Sequence, residues 1–341
     1  MRTIPFTAPS GARLAFTELG FGSAPLGNLY RALSENEAQT TLDAAWDAGI
    51  RYYDTAPLYG LGLSETRLNH FFRGKPRDSY IVSTKVGRRL IPCAPDERTG
   101  IGKFFDTPSR KEFYDYTHDG ILRSLEDSLE RLGLDSVEIL FAHDIDVFNH
   151  KSAAVRDAHI ETLMGSGYRA LERLRNEKVI KAFGAGVNEW EACQILAERG
   201  DFDLFLLAGR YTLLEQEALT SFLPLAEKRG IGIIIGGAYN SGILASGAKP
   251  GAWYNYDPAP QPILDRVARL EAVCRRHGVK LVEAALRFPL MHPAVASVIP
   301  GAAKPEEISR NMQTLAASIP PALWRDLKRE GLMREDAPVE A

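Results

Sequence analysis

Cysteine is scarce. Cys93, Cys193 and Cys274 are the only three in 341 residues, and no two form a CxxC pair. An odd number of widely spaced thiols excludes a disulfide framework and points to reduced cysteines in a cytoplasmic protein. Long apolar runs are also missing. No stretch approaches the ~18–20 apolar residues that cross a bilayer, and the opening Met1 to Pro9 has no apolar leader core. Excess charge is missing too: 41 Lys+Arg against 44 Asp+Glu leaves −3, which argues against nucleic acid or a membrane surface as a partner. A dinucleotide glycine loop is lacking as well. Gly20-Phe21-Gly22 begins one, but Pro25 falls where the third glycine's helix turn belongs, and no helix starts there. A small-molecule substrate is the expectation that survives.

What the sequence does hold is alternation. Hydrophobic residues at 45% and charged ones at 25% supply an ordinary globular core. Strand patterns at 17–22, 50–54, 79–85, 137–142, 180–186, 203–207, 231–235 and 295–299 are each followed by a helical pattern. The helices fall at 38–48 (opened by Ser34 and Glu37 as a capping box), 64–72 with Ser64 as cap, 118–132, 161–176, 189–199 and 215–229. Further ones follow at 262–277, 280–290, 304–317 and 320–331. Eight such units predict parallel strands with right-handed crossovers, closed as a (β/α)8 TIM barrel, one domain over residues 1–341. Residues 1–16 end in Arg13-Leu14-Ala15-Phe16, an apolar patch suited to a hairpin plugging the barrel's bottom. The connections 86–117, 143–160 and 236–261 are long and follow strands, so they belong on the C-terminal, catalytic face.

The strand ends carry the chemistry. The stretch Ile50 to Gly60 places Asp54 at a strand's C-terminal end and Tyr59 in the following loop; the next two strands end in Lys85 and His143. In a barrel all four converge on one face. A phenol with a pKa near ~10 carries protons poorly at neutral pH unless a nearby ammonium stabilises its anion, and a carboxylate keeps that ammonium charged and oriented. Such a set suits proton transfer at a carbonyl or alcohol oxygen, and needs a hydride carrier beside it, since side chains carry none. The rival reading of Lys85 as a Schiff-base lysine requires it without a carboxylate partner, and Asp54 argues against that. His143-Asp144-Ile145-Asp146 with His150 holds metal-ligating residue types. All lie in one loop, whereas a metal site draws ligands from several elements, so no metal is expected.

Over nearly its whole length the chain resembles the aldo-keto reductase superfamily. The matching stretches are Gly49 to Gly60 followed by Glu65, Ser83-Thr84-Lys85, the strand ending in His143, Gly184-Ala185-Gly186-Val187-Asn188, and Ile299-Pro300-Gly301. The opening Glu18 to Tyr30 looks more like one branch, which contains NAD-linked aldose 1-dehydrogenases (D-threo-aldose or L-fucose type) and a pyridoxal 4-dehydrogenase. The resemblance implies Tyr59 as acid/base, Lys85 and Asp54 as its tuners, and His143 as substrate orienter. It implies NAD oxidising an aldose C1 hemiacetal to a lactone, with pyridoxal as the alternative substrate. A non-catalytic regulatory subunit ranks below both. It places Asn188 at the nicotinamide carboxamide, and Gly22, Tyr239, Ser241, Gly242, Gly301, Ala302, Glu307 and Asn311 along the cofactor.

Three departures stand out. Ala208 takes the place of a usual glutamine, and Gly236 that of a tyrosine commonly stacked under the nicotinamide; Tyr239 is the candidate substitute. Gly301, Ala302 and Glu307 stand where NADP-using relatives typically carry lysine, serine and arginine. A carboxylate facing a 2′-phosphate is repelled, whereas a 2′-hydroxyl donates to it, so the expected cofactor is NAD.

Overall fold

In a computed structural model, which describes residues 1–339, eight parallel strands form one sheet: β1 (Phe21–Gly22), β2 (Tyr52–Asp54), β3 (Ile81–Val86), β4 (Ile139–His143), β5 (Ala182–Val187), β6 (Leu204–Ala208), β7 (Gly232–Gly236) and β8 (Val295–Val298). Neighbours in sequence are neighbours in the sheet. Parallel bridges Leu19↔Val298 and Gly22↔Gly301 join the last strand to the first, so the sheet closes on itself. Strand alternation divides the apolar residues into two cores. Tyr52, Phe141, Leu204, Leu206, Ile234 and Ile299 fill the barrel interior. Their neighbours Tyr53, Leu140, Phe205, Ile233 and Ile235 face the helices, where Tyr53 packs edge-on to Phe72 at 5.4 Å. Fully burying each of these side chains contributes about 1.5–3 kcal/mol.

The expected plug is present. Strands Thr3–Thr7 and Arg13–Thr17 pair antiparallel, and Phe6, Leu14 and Phe16 join the interior cluster. This shortens the first barrel strand relative to the expected 17–22, because Thr17 pairs with Thr3 instead. The N-terminal boundary at 79 also moves: Arg77–Ser79 is a 3-10 turn, and pairing starts at Ile81.

The Ser34–Glu37 capping box forms with both reciprocal bonds, but Ser64 is not a cap. Helix Leu63–Phe72 starts from Gly62, whose φ of 96° only glycine adopts freely. Ser64 lies inside the helix, its hydroxyl 2.7 Å from that of Ser23. The helix expected from 161 begins at Ala153 and runs through a π turn, Leu163–Gly167, into Tyr168–Asn176; Gly165 and Gly167 interrupt the periodicity there. The pattern at 215–229 divides into a 3-10 turn, Glu217–Thr220, and helix Phe222–Arg229. The long connection after β3 contains an unforeseen antiparallel ribbon, Arg88–Pro92 with Arg110–Tyr114. Among the described residues no helix is long and apolar enough to cross a membrane.

Candidate active site

Asp54, Lys85 and His143 end β2, β3 and β4, and Tyr59 hangs over them from the loop after β2. That loop is held close. A Cβ at Gly27 would lie 2.4 Å from the Gly60 nitrogen, so two bare backbones abut directly beside Tyr59. Glu65 is fully buried and accepts from Thr84 Oγ1 at 2.7 Å and Arg131 Nε at 2.6 Å, tying helix Leu63–Phe72 to the residue before Lys85.

The Lys85 ammonium spends its three protons on Asp54 Oδ2 at 2.7 Å, the Thr55 carbonyl at 2.8 Å and the Tyr59 hydroxyl at 3.2 Å. This is a fixed cation with no lone pair for a carbonyl carbon. Asp54 Oδ1 accepts from Ser83 Oγ at 2.7 Å, and Ser83 in turn lies 3.0 Å from the Tyr52 hydroxyl. Burial raises the Asp54 carboxyl, while the charge and hydrogen bond of Lys85 pull it back down. The His143 ring stands edge-on to Tyr59 at 6.1 Å. Burial, with the charges of Lys85 and Arg88, pushes its pKa well below the ordinary value and keeps the imidazole neutral. Its carbonyl accepts from the Tyr116 hydroxyl at 2.6 Å.

Tyr59 differs from the expectation in one respect. Lys85 touches its oxygen, yet burial and the Asp54 and Asp144 carboxylates hold the phenol well above its ordinary pKa. In the free protein Tyr59 is therefore a proton donor, and it turns into a base only as pH rises.

A cavity of about 430 Å³ opens over these groups. Its lining includes the apolar and aromatic side chains of Leu29, Leu58, Ile101, Phe104, Phe148 and Tyr256 and the polar ones of Arg88, Lys103, Thr99, Asn149 and Asp144. Gly186, Val187, Asn188, Leu206 and Ala208 make a floor with few side chains. A small cleft shares Asn188, Ala208 and Tyr256 with this cavity and continues past Gly209, Arg210, Gly237, Asn240 and Ser241. Ala208 pairs with Gly236 in the sheet, so the missing glutamine and tyrosine leave bare backbone at the cavity's edge.

Of the remaining sequence-predicted residues, Asn188 and Ser241 line these spaces, and Gly22, Tyr239, Gly242, Gly301, Ala302, Glu307 and Asn311 line neither. Asn188 borders both spaces. Tyr239 donates to Asn311 Oδ1 at 2.9 Å, joining the 239–242 turn to helix Pro305–Leu315. Ser241 Oγ accepts from the Tyr256 amide at 3.0 Å, and Gly242, at φ 97°, starts the short helix Ile243–Ser246. Gly22 and Gly301 face each other across the barrel closure, with Ala302 buried behind. Glu307 Oε2 accepts from the Ala303 amide at 2.8 Å, so its carboxylate also serves its own helix start. Sequence reasoning passed over Arg88 and Glu112, which come from the unforeseen ribbon and pair with each other, and gave Asp144 no role. Arg88 and Asp144 are ion-paired and nearly buried.

A model of the Aldo/keto reductase family matches residues 18–329. A pyridoxal 4-dehydrogenase of Microbacterium luteolum is 42% identical over 94% of this chain and 95% of its own. A D-threo-aldose 1-dehydrogenase of a Pseudomonas species is 43% identical over 96% of this chain and 97% of its own. Among solved structures, the holo form of aldo-keto reductase AKR11C1 from Bacillus halodurans superposes with a TM-score of 0.74 at 23% identity, covering 99% and 98% of the two chains.

Proposed function

The chain belongs to the aldo/keto reductase family and is an oxidoreductase acting on CH–OH groups, and we propose that it oxidises the C1 hemiacetal hydroxyl of an aldose to the lactone with NAD. The observation that carries this reading is a Tyr59 hydroxyl 3.2 Å from the Lys85 ammonium, opening into a cavity whose walls carry both aromatic and polar side chains. A pyranose suits such walls, because its C–H face is apolar while its hydroxyls need several hydrogen-bonding partners. When bound, NAD supplies the acceptor for the hydride that leaves C1. Tyr59, as phenolate, takes the hydroxyl proton as the C1–O bond becomes a carbonyl; Lys85 stabilises the anion, and neutral His143 holds the same oxygen. Asp54 keeps Lys85 charged and aimed.

For the cofactor, Asn188 holds the carboxamide at the cavity floor. Ser241, Gly242, Tyr239, Asn311, Glu307, Gly301, Ala302 and Gly22 would hold the rest of it. Glu307 favours the 2′-hydroxyl of NAD over a 2′-phosphate. The whole chain serves as one barrel domain with its binding loops on the C-terminal face. The unpaired Cys93, Cys193 and Cys274 suit a cytoplasmic setting. Pyridoxal is the second reading, favoured by the Microbacterium relative's name and by the Phe104, Phe148 and Tyr256 rings that would sandwich a pyridine. A side-by-side assay of L-fucose, D-arabinose, L-galactose and pyridoxal with NAD separates them. Turnover of at least one aldose above pyridoxal supports the proposal; oxidation of pyridoxal alone overturns it.

A further inference from the structure

Asp144 gathers three groups that the reaction keeps apart. Its Oδ2 lies 3.4 Å from His143 Nε2 and pairs with the Arg88 guanidinium, while its Oδ1 accepts from Asn188 Nδ2 at 3.2 Å. The residue is 7% exposed, lines the catalytic cavity, and adopts a left-handed φ of 54° that aspartate tolerates at some cost. Its amide donates to the Gly186 carbonyl at 2.8 Å, which fixes the turn. Arg88 is anchored from the other side by Glu112 in the facing strand of the ribbon, through Nε at 2.7 Å.

We propose that ionised Asp144 is a positioning residue. It holds the His143 imidazole and the Asn188 carboxamide in register with each other, and Arg88 holds it in place from the ribbon. The inference rests on the reading of His143 as substrate orienter and Asn188 as cofactor contact. Sequence-adjacent Asp146 does different work, accepting from the Asn188 amide at 2.6 Å and capping helix Val147–His150. The charges nearest Asp144 are Arg88 from the ribbon, Lys85 from β3 and Asp146 from its own loop, with Glu112 on the far side of Arg88; neutral His143 and the Tyr59, Tyr114, Tyr116 and Tyr256 phenols also face it. Burial raises the Asp144 carboxyl to about 6, with Asp146 adding to the rise and Arg88 and Lys85 opposing it. Protonation at that point weakens its hold on Arg88, removes the negative charge beside His143 Nε2, and leaves one oxygen fewer to accept from Asn188.

The test uses whichever substrate the wild-type enzyme oxidises best. It reads kcat/KM against pH for the reverse reaction, reduction of that substrate's product by NADH, in which Tyr59 stays protonated over the whole range and adds no slope of its own, together with NADH affinity from a fluorescence titration. Wild type shows an acid limb near pH 6, the carboxyl's value. Asp144→Asn removes that limb, lowers the plateau by about 10-fold or more, and weakens NADH binding through Asn188. Arg88→Gln, which takes away the charge opposing protonation, moves the limb to higher pH. A packing role alone predicts a pH-independent loss in both variants. A wild-type profile flat from about pH 5 to about pH 8 overturns the proposal whether or not the variants fold, as does an Asp144→Asn enzyme that keeps the limb. If no aldose is oxidised but another substrate is, the substrate reading fails while this profile still decides the role of Asp144.

Discussion

Tyr59 is where a single atom matters most. Its phenol is held up by burial and by Asp54 and Asp144, so the deprotonated form grows as pH rises. Oxidation should therefore increase toward alkaline pH, while the reverse reduction, which uses the protonated phenol, should decline. Tyr59→Phe should cost at least ~10²-fold in kcat with NADH affinity largely kept, as steady-state rates and a fluorescence titration would show. Near-wild-type turnover in that variant would remove Tyr59 from its role. These residues were legible in the sequence because each sits at a strand end or just past one, within recognisable local spacing. Arg88 and Asp144 were not, since ion pairs 56 residues apart leave no periodic trace. The direction of the Tyr59 shift was not legible either, because Lys85 is adjacent in any alignment of strands, whereas burial and a second carboxylate emerge only in three dimensions.

At the scale of elements, the loop carrying Tyr59 depends on the contact of Gly27 with Gly60. Neither backbone can give way cheaply, so Gly27→Ala should push the loop outward. We expect kcat to fall at least ~10-fold, with a smaller effect on thermal stability; a normal kcat would show that the contact does not seat Tyr59. On the proposed reading, the last β–α connection sets cofactor choice. NAD should be preferred over NADP by roughly 10²-fold in kcat/KM, a gap of about 2.7 kcal/mol at the transition state. Glu307→Arg with Gly301→Lys should narrow or invert that ratio. The bond from Ala303 to Glu307 means the exchange also loosens the helix start, so a melting curve should accompany the kinetics. Equal use of both cofactors by the wild-type enzyme would refute the reading of Glu307. Helices His118–Leu132 and Gln261–Arg276 were readable from sequence to within a residue, because no π turn interrupts their periodicity. The ribbon Arg88–Pro92 with Arg110–Tyr114 was not, because its alternation is broken by charged residues and it packs against side chains distant in sequence.

For the whole molecule, barrel closure and the N-terminal plug make one cooperative interior of Phe6, Phe16, Tyr52 and Phe141. Burial lowers the pKa of His143, and brings those of His150 and His292 to about 4. Unfolding releases these imidazoles to bind protons, so below the unfolded value near ~6.5 the denatured state takes up more protons and stability falls as pH drops. The raised carboxyls of Asp54 and Asp144 act with the opposite sign, since the native state protonates them first. Burial lowers His159 and raises the Glu189 carboxyl as well, so four histidines stand against three carboxyls and leave a net acid sensitivity. Melting temperature should decline between about pH 6.5 and about pH 4.5, and a constant value across that range would contradict the balance.

The central claim is that a hydride passes from C1 of an aldose to the nicotinamide while Tyr59 takes the hydroxyl proton. The most direct measurement supplies L-fucose deuterated at C1 together with NAD and locates the label by mass spectrometry. The account predicts one deuterium in the reduced nicotinamide and none in the lactone. Label retained in the sugar, with pyridoxal oxidised under the same conditions, would contradict it.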